Sequence, residues 1–414
     1  MAVWLVVLSL GSTGAHAAGT PGGEWVDNSL GLNVSSAILM AADTGQVLYE
    51  VNADAPRPPA SMTKLMTEYI VLEEISNKRL SWDTVVTVSE EAASTPADGS
   101  QIYLAQGDQH TVKDLYIAMA VGSANDATIA LADHISGTEQ KFVEKMNETA
   151  KEMGLTSAHF TSATGLLDTT VISARDMATL ARNILTKHPE FLEYSKIQQY
   201  KFRERDEDPM INYNWMLESN SSIQNFKQYA YQGVDGMKTG YISKAGYTFT
   251  GTVMRDGVRY ISVVMNTESM GARFTETAKL YNYAFSTFEE KVAVPAKSVV
   301  ESVEKVKLKK GVKTTVPVVT DADVSFYVKK GAEPKIELTA KQIPGEDELV
   351  APIEAGQKIG TVTYTYTDEE GKKTEQTVNL VAAEPVEKAG WFRLTFRSIG
   401  NFFSDLFNGI LDLF

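Results

Sequence analysis

Residues 59–67 read Pro-Ala-Ser-Met-Thr-Lys-Leu-Met-Thr, at the head of the run TKLMTEYIVLEEI. Apolar positions 65, 66, 69, 70, 72 and 75 predict a buried helix. Positions i and i+3 of a helix share a face, so Ser61 and Lys64 are expected to meet. A serine hydroxyl is a weak nucleophile until a neighbouring base takes its proton. Lysine is such a base where burial or a nearby cation lowers its pKa. A helix N-terminus adds backbone N–H groups and the positive end of a dipole, suited to an oxyanion. By itself S-x-x-K is weak, because an N-cap serine followed by a solvent lysine has the same spelling.

Two further motifs strengthen it. Ser123-Ala124-Asn125 follows Gly122. Its serine can relay a proton toward a leaving amine, and its asparagine amide can both donate to and accept from a peptide. Taken alone it equally reads as a turn or a cap. Lys238-Thr239-Gly240 follows Val234-Asp235-Gly236-Met237 and immediately precedes a strong hairpin pattern. That places it on the strand edging a site. Lysine and threonine side by side can bind a carboxylate, and glycine lets a ligand approach the backbone closely. Its plain alternative is an exposed turn.

Moving outward, SSAILMAADTGQVLYEVN predicts two strands joined at Asp43-Thr44-Gly45. GYTFTGTVMRDGVRYISVVMN predicts a hairpin around Arg255-Asp256-Gly257. VKDLYIAMAVGSANDATIALADHI reads as helical throughout, and EQKFVEKMNETAKEMG as a helix ended by Gly154. ARFTETAKLYNYAFSTF closes the region as a further helix. The fold class is α+β: helices on an antiparallel sheet over residues 24–288. EEKVAVPAKS reads as a linker. Residues 297–383 then turn strand-rich, with Val362, Tyr364 and Tyr366 alternating onto one face of TVTYTYT, which predicts a small all-β sandwich.

Both ends are apolar. VWLVVLSL followed by Ala15-His16-Ala17 predicts a secretory signal over residues 1–17, although no Lys or Arg precedes the run. In residues 388–414, Trp391, Ile399, Phe402, Phe403, Leu406, Ile410, Leu413 and Phe414 fall on one side of a helical wheel, opposite Arg393, Arg397, Asn401, Asp405 and Asp412. This predicts an amphipathic helix lying in a membrane interface. Export and such a helix together predict an extracytoplasmic protein held at the outer face of the cytoplasmic membrane.

Composition excludes other classes. The 414 residues carry 39 Lys+Arg against 53 Asp+Glu, a net charge of −14, so nucleic acid is not an expected partner. The absence of cysteine removes disulfide scaffolds, thiolate catalysis and Cys-ligated zinc. The five histidines, His16, His110, His134, His159 and His188, form no H-E-x-x-H spacing, so no metal site and no cofactor are expected.

S-x-x-K, S-x-N and K-T-G in this order are the signature of penicillin-recognising serine enzymes. With Pro59–Thr67, AMAVGSAND (118–126), ATGL (163–166), Ala174-Arg175-Asp176 and GVDGMKTGYISKAG (233–246), the chain resembles the D-alanyl-D-alanine carboxypeptidases, the class C low-molecular-weight penicillin-binding proteins. The resemblance spans nearly the whole chain and implies a penicillin-binding/β-lactamase-like transpeptidase domain. It also implies that Ser61 is the nucleophile, Lys64 the general base and Ser123 a proton relay. Asn125 is implied to orient the substrate amide, Lys238 and Thr239 to lie near the terminal carboxylate and support the proton network, and Gly240 to belong to the substrate-binding strand. The backbone N–H groups of Ser61 and Tyr241 are implied to form the oxyanion hole, and Arg273 to lie near the carboxylate subsite. Tyr241 departs from relatives with His or Thr after K-T-G, which leaves fine specificity open. The implied partners are peptidoglycan stem peptides ending in D-Ala-D-Ala, β-lactams as inhibitors, and a membrane surface. Two alternatives stand beside this: a serine β-lactamase, although E-x-x-L-N is absent, and a non-catalytic penicillin or peptidoglycan sensor.

Overall fold

The computed structural model describes residues 28–345, 348–396 and 399. The sheet that organises the first part contains β1 (Ser36–Ala41), β2 (Val47–Val51), β3 (Val234–Ile242), β4 (Gly246–Arg255) and β5 (Val258–Thr267). Its spatial order is β2-β1-β5-β4-β3, with antiparallel neighbours throughout. The predicted hairpin is β4–β5, turning at Asp256 and Gly257, both at positive φ. Those are the dihedral signs a two-residue type I′ turn requires, and Asp-Gly supplies them at low cost.

Side chains alternate across a strand, and β1 shows why this sheet is covered on both faces. Ile38 and Met40 join a core with the helical layer, whereas Ala37, Leu39 and Ala41 join a second core on the other face. The helical layer contains α1 (Lys64–Ser76), α2 (Val112–Gly122), α3 (Asn125–Ser136), α4 (Glu139–Glu152) and α5 (Ala174–Lys187). The opposite face is covered by α6 (Ala272–Thr287), through Phe274, Leu280, Tyr281 and Ala284.

Helix α1 is the axis of the helical layer, with every residue from Lys64 to Leu72 buried. A helix apolar nearly all round belongs inside, which makes its buried Lys64 and Glu68 conspicuous. Helix α4 instead buries Phe142, Met146 and Ala150, spaced by four, and is followed by Gly154 at φ +73°. The segment predicted to be helical throughout is two helices. Ser123 adopts φ 55°, ψ 28° and ends α2; Asn125 opens α3. A left-handed residue cannot continue a right-handed helix.

Beyond α6 the linker expectation is corrected. Phe288–Val294 forms a strand, β6, paired with β9 (Val324–Lys329). Its acidic residues Glu289 and Glu290 masked a chain that hydrogen-bonds on one edge. Lys305–Lys307 (β7), Thr315–Thr320 (β8), Lys335–Gln342 (β10), Lys358–Thr367 (β11) and Lys373–Ala382 (β12) form a sheet in the order β7-β8-β12-β11-β10. Val362 and Tyr366 enter its core with Phe326 and Leu380, and Tyr364 packs partly against it. This is the β-sandwich expected. Its seam with the first part is specific: Gln46 donates to the Tyr327 carbonyl and accepts from the Tyr327 N–H, each at 2.8 Å, while Tyr327 Oη donates to Asp43 at 3.0 Å.

The signal expectation for residues 1–17 lies outside the described residues, as does most of the terminal helix expectation. Of the latter, Trp391–Phe396 is helical, with Trp391, Phe392 and Phe396 exposed. Among the described residues no helix is long and apolar enough to cross a membrane.

Candidate active site

The expected head of the Ser61 helix is a short 3-10 turn, Ala60–Thr63, running into α1 at Lys64. Thr248 of β4 donates to the Pro59 carbonyl at 3.1 Å, and Thr67 donates to the Ala163 carbonyl at 2.8 Å. The turn is therefore fixed to the sheet, and the first turns of α1 behind it to the 163–166 loop. Gly165, at φ +78°, lets that loop close: a Cβ there would stand 2.0 Å from the Ala60 carbonyl oxygen. Gly165→Ala is expected to displace the turn bearing Ser61 and to slow penicillin acylation by about 100-fold, the scale of a misplaced reacting group. Stopped-flow acylation beside a melting curve measures this; an unaltered rate in a folded variant contradicts it.

The lysine geometry is informative. Lys64 is fully buried. Its Nζ donates to Asn125 Oδ1 at 2.7 Å and to the Thr164 carbonyl at 2.9 Å, and stands 3.2 Å from Ser61 Oγ. A neutral amine has two N–H bonds and one lone pair. Two fixed acceptors take the N–H bonds, so the lone pair is left for the serine hydroxyl. With the lone pair directed at Ser61, both other contacts are donations, which fits the amide oxygen of Asn125 facing Lys64. Burial drives the Lys64 pKa well below its ordinary value, and repulsion from Lys238 adds to this, against attraction from Glu68, Glu139 and Asp126.

Ser123 faces Ser61 across the cleft because of the break between α2 and α3. Lys238 Nζ donates to Ser123 Oγ at 3.0 Å. Lys238 is itself buried, and desolvation lowers its pKa. Asp126, next to Asn125, accepts from the N–H groups of Ile102 (3.1 Å) and Leu104 (3.0 Å), and Asn125 N–H donates to the Ser100 carbonyl at 2.7 Å. These bonds hold the 98–104 loop as one wall.

Strand β3 is the opposite wall and a sheet edge, as expected for Lys238-Thr239-Gly240. A Cβ on Gly240 would meet the Pro59 carbonyl at 2.6 Å and the Ser61 nitrogen at 3.0 Å. Only glycine permits this approach of strand to nucleophile turn. Arg273 of α6 is buried under the strand and donates to the Gly240 carbonyl at 3.3 Å, with its Nε unpartnered among the described residues. Burial pulls its pKa down to about 10, so it stays charged at neutral pH.

Ser61, Ser123, Asn125, Thr239, Gly240, Tyr241 and Arg273 line one cleft of about 500 Å³, and Lys64 and Lys238 lie behind its floor. All nine expected site residues are thus brought together. Ala174-Arg175-Asp176 is not part of the cleft. It starts α5, capped by Ser173, and Arg175 pairs with Asp54 and Glu50. Sequence reasoning missed Tyr213, Tyr247 and Met270 of the rim. Tyr247 stacks on Tyr241 at 4.4 Å between ring centres, a pairing that the β3–β4 register alone creates. It also missed Glu68, for which a charge inside an apolar helix pattern was the available signal. Among the described residues no group of His, Cys, Asp and Glu side chains is arranged to hold a metal.

The D-alanyl-D-alanine carboxypeptidase family model matches residues 26–269, and a model for the C-terminal domain of penicillin-binding protein 5 matches residues 288–388. The D-alanyl-D-alanine carboxypeptidase DacF of Bacillus subtilis is 34% identical over 375 residues, covering 90% of this chain and 91% of that relative. Penicillin binding protein 5 of Haemophilus influenzae is 30% identical, with a TM-score of 0.70 over 86% of this chain and 98% of its own. Penicillin-binding protein D2 of Listeria monocytogenes, in its ampicillin-bound form, is 34% identical, with a TM-score of 0.53 over 61% of this chain and 98% of its own. The amine poised on Ser61, the Ser123–Lys238 pair and the glycine-edged strand therefore sit in a chain that matches from one part to the other: it belongs to the D-alanyl-D-alanine carboxypeptidase family of serine peptidases.

Proposed function

We propose that the chain is a serine-type D-Ala-D-Ala carboxypeptidase that removes the terminal D-alanine from peptidoglycan stem pentapeptides, limits cross-linking and is acylated by β-lactams. The observation that carries this is the buried amine of Lys64, whose N–H bonds are committed to Asn125 and Thr164 and which stands 3.2 Å from Ser61 Oγ.

In this reading Ser61 Oγ attacks the penultimate D-Ala carbonyl as Lys64 takes its proton. The N–H groups of Ser61 and Tyr241 stabilise the oxyanion, which the Gly240–Ser61 approach supports. Ser123 Oγ, beside Lys238, passes a proton to the departing D-Ala nitrogen as the C–N bond breaks. Asn125 holds the substrate amide, while Thr239 and Arg273 meet the terminal carboxylate. Water then hydrolyses the Ser61 ester. Incubation with labelled penicillin and with a peptide ending in D-Ala-D-Ala tests this. A slowly lost label together with free D-alanine is expected. Rapid penicillin turnover instead indicates a β-lactamase, and a label without D-alanine release indicates a sensor.

The reaction is extracytoplasmic, where stem peptides are. We further propose that residues 388–414 bind the outer face of the cytoplasmic membrane, which the exposed Trp391, Phe392 and Phe396 support. Deleting 388–414 is expected to release the protein from sedimented membranes with its penicillin-acylation rate intact; undiminished sedimentation sinks the anchor.

A further inference from the structure

Glu68 is an anomaly in the helix that carries the base. It lies one turn after Lys64 on α1 and is 1% exposed. Neither carboxyl oxygen has a hydrogen-bond partner among the described residues. The Tyr116 hydroxyl of α2, fully buried, is also unpartnered there. A buried carboxyl without partners is costly, a cost that an apolar side chain of similar volume does not carry. Its surroundings give it a use. The charges acting on it are those of Lys64 on its own helix and Lys238 on β3, and it acts in turn on Tyr116. Lys64 also feels Glu139 and Asp126, and Lys238 feels Arg273.

Two lysines are enclosed behind the cleft, and their mutual repulsion disfavours charging both. The reaction needs them different, with Lys64 neutral as the base and Lys238 charged beside Ser123. We propose that Glu68 is a positioning residue that supplies the counter-charge for the Lys64–Lys238 pair and so sets the pH range in which one lysine is neutral while the other keeps its proton. The inference rests on the functional reading only for the roles of the two lysines. Burial pushes the Glu68 carboxyl pKa upward, so its negative charge grows as pH rises through neutrality.

The test is the pH profile of Glu68→Gln. Removing a negative charge beside an ammonium lowers the pKa of that ammonium. Lys64 then becomes a free base at lower pH, which moves the acid limb of kcat/KM down. Lys238 loses its proton at lower pH, which moves the alkaline limb down. The alkaline limb moves further, by about one pH unit, because Glu68 carries its fullest charge there. Glu68→Asp, which retains a carboxyl, is expected to return the limb toward its wild-type position.

Glu68→Met fills the same volume without a polar group and is held to the same shift should Glu68→Gln fail to fold. The profile is read twice, by D-alanine release and by the rate of penicillin acylation. If the wild-type chain releases no D-alanine, the functional reading fails while the acylation profile still tests Glu68. A profile lowered in height but fixed in position, or a limb displaced upward, assigns Glu68 to packing alone and overturns the inference.

Discussion

Ser61→Ala is expected to abolish covalent labelling by penicillin and to reduce D-alanine release by a factor of about 10⁴ or more, as for other nucleophile deletions. The magnitude follows from geometry. Lys64 approaches no hydroxyl in the cleft other than Ser61 Oγ among its described contacts, so no second nucleophile takes over. The backbone donors and Arg273 remain, so noncovalent binding of a D-Ala-D-Ala peptide is expected to persist. Folding is not expected to suffer. Ser61 Oγ makes one contact of 3.2 Å, and its loss changes stability by about 1 kcal/mol or less. Mass spectrometry of the penicillin-treated variant decides the point. An adduct retained at full stoichiometry would falsify the assignment of Ser61.

The second large effect is expected at Lys64. Lys64→Arg retains N–H donors but is a permanent cation that cannot give up its proton in the working range. It is expected to slow acylation by about 10²–10⁴, the usual contribution of a general base. Lys64→Met is expected to be equally slow for a different reason, having no basic atom. It leaves Asn125 Oδ1 and the Thr164 carbonyl without their partner, at about 1–3 kcal/mol per orphaned group, partly offset because a desolvated amine is also removed. The pair of variants separates charge from basicity. Both should fail in single-turnover acylation while remaining folded by circular dichroism. If Lys64→Arg acylates near the wild-type rate, the lysine is an electrostatic element and another group takes the Ser61 proton.

The depth to which the site was legible follows contact range. Ser61 and Lys64 are three residues apart, and helical geometry alone predicts their meeting, which occurs at 3.2 Å. The hairpin at Asp256-Gly257 and the buried run of α1 are equally local, because turn chemistry and periodicity are written in consecutive residues. Ser123 is legible as a motif, but its left-handed conformation is not. Alanine-rich flanks read as helix on both sides, and the break comes from the left-handed residue that lets Ser123 reach Lys238, 115 positions away. The linker reading failed for a related reason. Glu289 and Glu290 look like solvent, yet β6 has a partner in β9, and a partner is invisible in a single segment.

By itself the sequence determined the chemistry: a serine with a lysine three residues on, a second serine with an asparagine, and a lysine-threonine-glycine strand, in the order of one enzyme family. It determined the α+β class through the two periodicities. The tertiary structure decided which groups share protons. It put Asn125 on Lys64, Ser123 on Lys238, Arg273 under Gly240, and Glu68, without a hydrogen-bond partner among the described residues, within the field of both lysines. The physical reason is that acidity depends on desolvation and on charges brought near through space. Neither is a property of neighbours along the chain; both appear only when α1, α3 and β3 close around a shared interior.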